Sequence, residues 1–233
     1  MTLIQLGFTL FMYLLGTVFV GICLLPGLSL TFIIWQNSSG LILPLRILSI
    51  SLSLAATYFI YGITLICVIG LCRVIFRLKL KEGEYPYFSI GAMKWAFTNA
   101  FVLLVNVTFM DFMMLTPLNI LFYRMMGAKI GNRVQINSKK LADVSLIEIG
   151  DDTVIGGDAV LICHVAERGR LKLKPVKIGS KVTVGLNSII LPGVEIGDSS
   201  IIDVCSVIRK NEKLPPKTVF SSIPAKNIRQ KEK

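Results

Sequence analysis

Two long stretches without charge open the chain. Residues 1–44 and 47–72 contain no Asp, Glu, Lys or Arg. A helix needs about 20 apolar residues to cross the hydrocarbon core of a bilayer, so the pattern predicts transmembrane helices over Leu3 to Leu25 and Ile47 to Cys72. Pro26-Gly27 is predicted to end the first helix. The intervening segment "LSLTFIIWQNSSGLIL" is polar in its middle, which predicts a turn at the far membrane surface with Trp35 as an interfacial anchor.

Basic residues follow the second predicted span at once: Arg73, Arg77, Lys79 and Lys81. Positive charge collects on the cytoplasmic side of membranes. The second span is therefore expected to end inside the cell and the N-terminus to start inside. These cations are also of the kind that contact acidic lipid head groups.

A third apolar stretch runs from Trp95 to Tyr123, with Asn106 and Asp111 inside it and Thr116-Pro117 near its end. A charge in hydrocarbon costs about 2.5 kcal/mol or more on insertion scales, and a proline kinks a helix. We therefore favour a broken helix that enters the inner leaflet and returns. The alternative is a third complete span, which would place the C-terminal part outside. Asp111 is interpreted as a carboxylate paired with a nearby Lys or Arg, or alternatively as a functional acid.

A period of six residues begins at Ile130. The windows read "IGNRVQ", "IGDDTV", "IGGDAV", "IGSKVT", "VGLNSI", "ILPGVE", "IGDSSI" and "IDVCSV". Each has a branched aliphatic first residue and a small or β-branched fifth residue, and most have Gly second. Such a fixed short period is the signature of a stacked repeat. It predicts a left-handed parallel β-helix, a triangular prism in which three windows make one coil and coils pair through parallel strands.

The repeat assigns a direction to each side chain. First and fifth positions are expected inside the prism and fourth positions outside, and Gly at the second position suits a tight corner. Counting from Leu161, His164 is a fourth position and Cys163 a third, so both are predicted to point outward, whereas Val165 is predicted to point inward. An insertion of eleven residues, 167–177, then interrupts the period. The ends of the stack need caps, which the membrane-proximal helix and the tail after Ile208 are expected to supply.

These patterns define an α + β fold in which N-terminal transmembrane helices precede the β-helix. The predicted domains are a membrane-associated helical domain (1–127), the β-helix (128–212) and a basic tail (213–233). The composition agrees with a membrane-associated protein, since 53% of the residues are hydrophobic and only 17% are charged; the formal net charge is +11. The five Cys form no C-x-x-C pair, and no Walker or dinucleotide Gly motif is present. The basic charge lacks the interleaved aromatic motifs of nucleic-acid binders, so no nucleic-acid partner is predicted.

From about Arg124 to Ile228 the chain resembles the hexapeptide-repeat acyltransferases. The stretch "IPAKNI" resembles their C-terminal signature, although Ser222 stands where Gly is usual. A closer resemblance is to the membrane-embedded C-terminal modules of ε-poly-lysine synthetases and related proteins. Those modules carry an Asp shortly before an "IGDD"-like window, and then a His followed three residues later by Glu in a basic loop. The matching residues here are Asp143, His164 and Glu167. The adenylation and carrier domains of such synthetases have no counterpart in this sequence.

His164 is the only histidine and the candidate general base. Imidazole is the side chain that ordinarily titrates near neutral pH, as base catalysis of acyl transfer requires. A carboxylate commonly holds the second ring nitrogen. Asp143 lies about one coil earlier than His164, and Glu167 is nearer in sequence, so either acid is a candidate. The alternatives are a surface histidine and two solvated loop acids.

Cations in and around the insertion are candidates for binding the phosphates of an acyl-coenzyme A donor, or alternatively a solvated face on anionic lipid. With an outward asparagine and two tail residues, the candidate donor-binding set is Arg168, Lys172, Lys174, Lys177, Asn187, Lys226 and Arg229. No metal site is predicted. A hexapeptide-fold carbonic anhydrase, which needs three histidines on zinc, is excluded by the histidine count.

The sequence therefore predicts an integral-membrane acyltransferase. It would move an acyl group from coenzyme A or another thioester to an amine or hydroxyl of a membrane-associated acceptor. The resemblance implies a homotrimer with its site between two prisms, and a bacterial inner-membrane location with the β-helix in the cytoplasm. The alternative is a non-catalytic trimeric membrane scaffold or an accessory subunit of a peptide or polysaccharide synthesis system.

Overall fold

The computed structural model describes residues 3–221 and 226–227. The chain forms two compact units, residues 1–71 and 72–233. The first unit contains helix α1 (Leu3–Asn37) and most of helix α2 (Leu43–Ile75). Within the described residues, three helical segments are long and apolar enough to cross a membrane: Leu6–Asn37, Leu43–Ile75 and Ile90–Thr108.

Helix α1 does not end at Pro26-Gly27, so that prediction was wrong. Pro26 lies inside the helix, which continues to Asn37. A proline removes one backbone hydrogen bond, and apolar membrane-type helices tolerate this loss. Gly27 has a packing role, since a Cβ atom there would stand 2.8 Å from the Cα atom of Thr57. One turn later, the hydroxyls of Thr31 and Thr57 are hydrogen-bonded at 2.9 Å. The two helices of this unit therefore pack closely along a small polar seam.

The third apolar stretch is a broken helix, as predicted. It consists of α3 (Ile90–Thr108), α4 (Met110–Met113) and α5 (Pro117–Met125). Thr116 caps α5 by accepting a hydrogen bond from the backbone of Leu118, and Pro117 occupies the first turn, where its missing N–H is not needed. Asp111 is paired with Lys139 at 2.8 Å, which confirms its interpretation as an ion-paired carboxylate.

A left-handed parallel β-helix follows. It has three faces, each a stack of short parallel strands. The first face contains β2 (Lys129–Ile130), β4 (Ile147–Ile149), β9 (Val176–Ile178), β12 (Glu195–Ile196) and β15 (Lys213–Leu214). The second contains β3 (Gln135–Ile136), β5 (Val154–Ile155), β10 (Thr183–Val184), β13 (Ile201–Ile202) and β16 (Val219–Ser221), with β17 (Lys226–Asn227) antiparallel at its end. The third contains β6 (Val160–Leu161), β11 (Ile189–Ile190) and β14 (Val207–Ile208). Strands therefore continue beyond residue 212, past the predicted end of the β-helix.

The predicted inward and outward directions of the side chains are confirmed in all the regular six-residue windows. The first and fifth residues are buried, as Ile155 and Ala159 illustrate, each with no exposed surface. The fourth residues have positive φ angles, between 53° and 58° for Arg133, Asp152, Asp158, Lys181, Asn187, Ser199 and Cys205. The left-handed corner thus falls at the fourth position.

Glycine at the second position of a window allows neighbouring coils to stack closely. The predicted role of this glycine in the turn was wrong. Second-position glycines have no positive φ. A Cβ atom on Gly156 would lie 2.6 Å from the carbonyl oxygen of Val184, and one on Gly185 would lie 2.6 Å from the amide nitrogen of Val204. Each glycine therefore lets the backbone of the next coil approach.

We expect Gly156→Ala to destabilise the β-helix by about 1–3 kcal/mol, because overpacking of a closely packed site costs that much. Thermal unfolding of the detergent-purified protein measures the effect. The matched control is Gly169→Asn, in a turn where an added Cβ atom would have no neighbour within 4 Å and where φ is 75°, an angle that Asn tolerates. Equal melting of the two variants would contradict close stacking at Gly156.

The open edge of the first coil is closed by side chains from the broken helix. Asn106 donates a hydrogen bond to the carbonyl of Lys139 at 2.9 Å, and Asn119 donates to that of Ile136 at 2.8 Å. The hydroxyl of Tyr123 donates to the carbonyl of Ser138 at 3.2 Å. Polar residues inside these apolar helices thus satisfy the backbone of the prism, and they fix α3 and α5 against it.

Candidate active site

The insertion forms a β-hairpin. Strand β7 (His164–Glu167) pairs antiparallel with β8 (Arg170–Leu173), and β1 (Gly83–Pro86) adds to the outer edge of β8. Cys163 is fully buried and Val165 is half-buried, so the predicted directions of these two residues were wrong. The physical reason is that the chain leaves the prism after Leu161, and the alternation of a strand replaces the six-residue period.

His164 is the first residue of the hairpin and lies against Asp143. Its Nδ1 atom is 2.6 Å from Oδ2 of Asp143. The His164 side chain is 29% exposed, whereas that of Asp143 has no exposed surface. The structure thus brings together the two residues that the sequence placed one coil apart, and it leaves part of the imidazole open to solvent.

Helix α3 holds the Asp143 carboxylate from the other side. Oδ1 accepts a hydrogen bond from Nε1 of Trp95 at 2.6 Å and one from Nδ2 of Asn99 at 2.9 Å. Oδ2 also accepts from the backbone N–H of Cys163 at 3.1 Å. A buried carboxylate is costly unless hydrogen bonds replace water, and here four donors do so. The carboxylate is therefore fixed in place before any substrate binds.

Local backbone structure aims Asp143 inward. Its φ is 58°, in the left-handed region, and a single 3₁₀ turn (Val144–Leu146) follows it. This corner is longer than the regular corners, and it turns a residue that would otherwise face solvent toward the hairpin. The side chain of Asn99 also accepts a hydrogen bond from the backbone N–H of Asp143 at 3.1 Å. Asn99 thus holds both the side chain and the main chain of this residue.

This geometry fixes the chemistry available to the imidazole. A carboxylate only accepts hydrogen bonds, so Nδ1 of His164 donates to Asp143 and the lone pair lies on Nε2. The edge of the Trp95 ring packs near the imidazole, with ring centroids 5.0 Å apart, and restricts its rotation. The neighbouring Cys163 is unsuited to nucleophilic attack, because burial and the Asp143 charge raise the pKa of its thiol. Among the described residues, no group of three His, Cys, Asp or Glu side chains is placed to hold a metal ion.

Glu167, the other candidate acid, does not contact His164. Side chains alternate along a strand, so Glu167 points to the opposite face of the hairpin. There its carboxylate accepts a hydrogen bond from Lys210, and this bond lowers the pKa of Glu167.

Two of the predicted donor-binding residues lie together on that opposite face. Lys172 is 3.5 Å from Glu84 and 4.0 Å from Glu167. Lys174 donates to Oδ1 of Asn211 at 2.7 Å. With Lys210, these residues surround a cavity of about 150 Å³ whose lining also includes Pro192. We call Lys172, Lys174 and Lys210 the lysine cluster.

The other predicted donor-binding residues are dispersed. Arg168 is exposed in the hairpin turn, Lys177 lies on the first face of the prism near Glu195, and Asn187 occupies a corner between the second and third faces. Lys226 lies in β17, where only the backbone is described. Arg229 and Ser222 lie outside the described residues.

Sequence reasoning missed Trp95, Asn99, Lys210 and Asn211. Trp95 and Asn99 are four residues apart and therefore lie on one face of a helix. Two side chains with hydrogen-bond donors at this spacing in an apolar stretch were the signal that could have identified them. Lys210 and Asn211 are distant in sequence from the hairpin, and only the stacking of coils brings them to it.

The fold and the site define a left-handed β-helix that carries a buried Asp–His pair. No protein-family model matches the chain. The chain is 22% identical over 167 residues to Delta-poly-L-ornithine synthetase of Acinetobacter baumannii, a match that covers 71% of this chain and 12% of that protein. It is 31% identical over 114 residues to galactoside O-acetyltransferase of Escherichia coli, covering 43% of this chain and 55% of that protein. The chain thus matches at most about half the length of these two relatives.

Among solved structures, the chain is similar to a hexapeptide-repeat acetyltransferase of Vibrio cholerae complexed with acetyl coenzyme A. That match has 29% identity and a TM-score of 0.40, and it covers 44% of this chain and 59% of that one. The two curated relatives confirm the resemblance of the chain to hexapeptide-repeat acyltransferases and to a poly-amino-acid synthetase.

Proposed function

We propose that the protein is a membrane-associated acyltransferase that moves an acyl group from coenzyme A, or another thioester, to an amine or hydroxyl of a membrane-associated acceptor. The observation that carries the proposal is the buried Asp143 carboxylate, which is held by three donors besides His164 and is hydrogen-bonded to the partly exposed imidazole. The named activities of the relatives, galactoside O-acetyltransferase among them, support the reaction class.

In the proposed reaction, Nε2 of His164 takes a proton from the acceptor N–H or O–H as the acceptor atom attacks the thioester carbonyl carbon. Asp143 stabilises the imidazolium that forms. The carbon–sulfur bond then breaks, and the imidazolium returns the proton to the leaving thiolate. The products are the acylated acceptor and the free thiol.

The lysine cluster is the proposed site for the phosphates of the donor. Three ammonium groups face two carboxylates, those of Glu84 and Glu167, around one cavity. The balance leaves one positive charge for an anionic group. Because this cavity and His164 lie on opposite faces of one hairpin, a long donor would pass over the hairpin edge to reach the imidazole.

Membrane association and a homotrimer belong to the same proposal. Three helical segments have the length and composition of membrane spans, and the basic residues after α2 support a cytoplasmic β-helix. The resemblance to the synthetase modules supports a bacterial inner-membrane location. In a trimer, the solvent-exposed part of His164 would face a neighbouring prism. The scaffold alternative gives no reason for a fully buried carboxylate with four hydrogen-bond donors.

The direct test is an acyl-transfer assay. Protein in nanodiscs is incubated with acetyl coenzyme A and a series of alkylamines and alkyl alcohols, and thiol release is measured together with acylated product by mass spectrometry. Product formation that depends on protein supports the proposal. Absence of product and of thiol release, with any thioester donor tried, would favour the scaffold.

The lysine cluster gives a separate prediction. We expect the Lys172→Ala, Lys174→Ala double variant to raise the donor KM about tenfold with a smaller change in kcat, because such contacts bind ground state and transition state alike. The control is Lys213→Ala, an exposed cation on the first face of the prism that is not among the candidate donor-binding residues, and it should leave the donor KM unchanged. A kcat loss without a KM change would contradict the proposed role.

A further inference from the structure

A groove runs between helix α3 and the third face of the prism. Its apolar lining comes from Ala96, Ala100 and Leu103 on the helix and from Leu141, Val160 and Ile162 on the prism. Its volume is about 530 Å³. The two alanines leave space beside the prism that larger side chains on α3 would fill.

One end of the groove is the active-site wall. Trp95 and Asn99 line the groove, and the same two side chains hold the Asp143 carboxylate. The Trp95 ring both lines the groove and contacts the imidazole of His164, with ring centroids 5.0 Å apart. A molecule lying in the groove would therefore have one end beside the candidate base.

The cations at the groove are already neutralised. Lys139 pairs with Asp111 at 2.8 Å, and Lys140 pairs with Asp158 at 3.0 Å. The apolar lining with paired charges at its rim fits an uncharged aliphatic chain and does not fit a phosphate. The phosphate-bearing donor is better matched by the lysine cluster on the other face of the hairpin.

The helix that forms one wall of the groove also has the character of a membrane helix. Ile90–Thr108 is long and apolar enough to cross a bilayer, and its side chains Ile90 and Val107 are exposed by 76% and 69%. Exposed large apolar surface marks a contact with lipid or protein. In a bilayer, an alkyl chain would reach the groove laterally along α3.

We propose that this groove binds the aliphatic chain of an amphiphilic acceptor and presents its amine or hydroxyl head group to His164. This inference rests on the proposed function, which it deepens by naming the acceptor class. The hydrophobic contribution of about 0.8 kcal/mol per buried methylene corresponds to roughly fourfold in affinity. The acceptor KM should therefore fall about two- to fourfold for each methylene added, until the groove is filled.

The kinetic test uses a series from butylamine to dodecylamine with acetyl coenzyme A. Ala100→Phe fills the groove and is expected to abolish the dependence of KM on chain length. Ile90→Phe adds the ring at the exposed first turn of the same helix, on a residue that does not line the groove, and should keep the dependence, which controls for partitioning of the amines into the nanodisc. If Ala100→Phe melts well below the unsubstituted protein, Ala96→Leu is the replacement variant. Retention of the full chain-length dependence in the groove-filling variant would overturn the proposal.

A binding test separates this inference from the proposed function. Trp35 and Trp95 are the only tryptophans, so Trp35→Phe leaves Trp95 as the sole indole fluorophore. An alkylamine brominated along its chain should quench Trp95 saturably, and the quenching should persist with His164→Ala and weaken at least fivefold with Ala100→Phe. Quenching without turnover in any variant would support binding of the chain in the groove and would refute the proposed enzyme activity. Turnover with identical quenching in Ala100→Phe and Ile90→Phe would refute the groove proposal alone.

Discussion

Replacement of His164 by Ala is expected to lower acyl transfer by roughly 10²–10⁴-fold, because a positioned general base contributes about that much to the rate. His164→Asn should be no better, since an amide forms hydrogen bonds but cannot take up a proton. The measurement is single-turnover formation of acylated product with the alkylamine acceptor. The imidazole lies on the hairpin, outside the prism core, so its loss should change the melting temperature of the β-helix little.

Two acid variants test how the base is positioned. Asp143→Asn should also reduce transfer strongly, because the amide no longer fixes the Nδ1–H tautomer or stabilises the imidazolium. Glu167→Gln should change kcat little, since Glu167 meets Lys210 on the opposite face of the hairpin. Full activity of His164→Ala would show that the imidazole is not the general base. If Glu167→Gln lowered activity as much as Asp143→Asn, the assignment of Asp143 as the acid that positions His164 would be refuted.

Ile155→Asp is expected to unfold the β-helix. Ile155 is fully buried in the prism, and an unpaired carboxylate in an apolar interior costs several kcal/mol. That cost is a large part of the 5–15 kcal/mol that typically stabilises a folded domain. The expected readouts are loss of the cooperative melting transition and protease sensitivity in residues 128–221.

Val154→Asp is the matched control for this prediction. Val154 precedes Ile155 in strand β5 and is 37% exposed on the outer face of the prism. The same charge one residue earlier should therefore lower the melting temperature only slightly. Comparable unfolding by both substitutions would mean that the six-residue period does not set which side chains face inward.

The regular part of the fold was readable from the sequence because its physical cause is local and repeated. A first residue that must fill the prism and a fifth that must be small recur in eight windows, so each window confirms the alignment of the others. Long apolar stretches similarly predict helices whatever their neighbours are. The same period also indicated that Asp143 could reach His164, since residues about one coil apart stack above one another.

Irregular positions were not readable, because their geometry depends on contacts distant in sequence. The continuation of α1 through Pro26 accompanies the close approach of Gly27 to Thr57. The inward-facing Cys163 depends on where the hairpin leaves the prism, which no period specifies. All the predicted donor-binding residues except Asn187 were chosen by charge. The structure gathers only Lys172 and Lys174 of them and adds Lys210 from two coils further on.

The sequence by itself determined the β-helix and the direction of its core side chains, because a six-residue period carries that geometry within each window. Only the tertiary structure decided that Asp143 rather than Glu167 meets the imidazole. It also revealed that Trp95 and Asn99 from an apolar helix hold the carboxylate. The physical reason is that a buried carboxylate requires donors from whichever elements surround it, and these elements are brought together by packing.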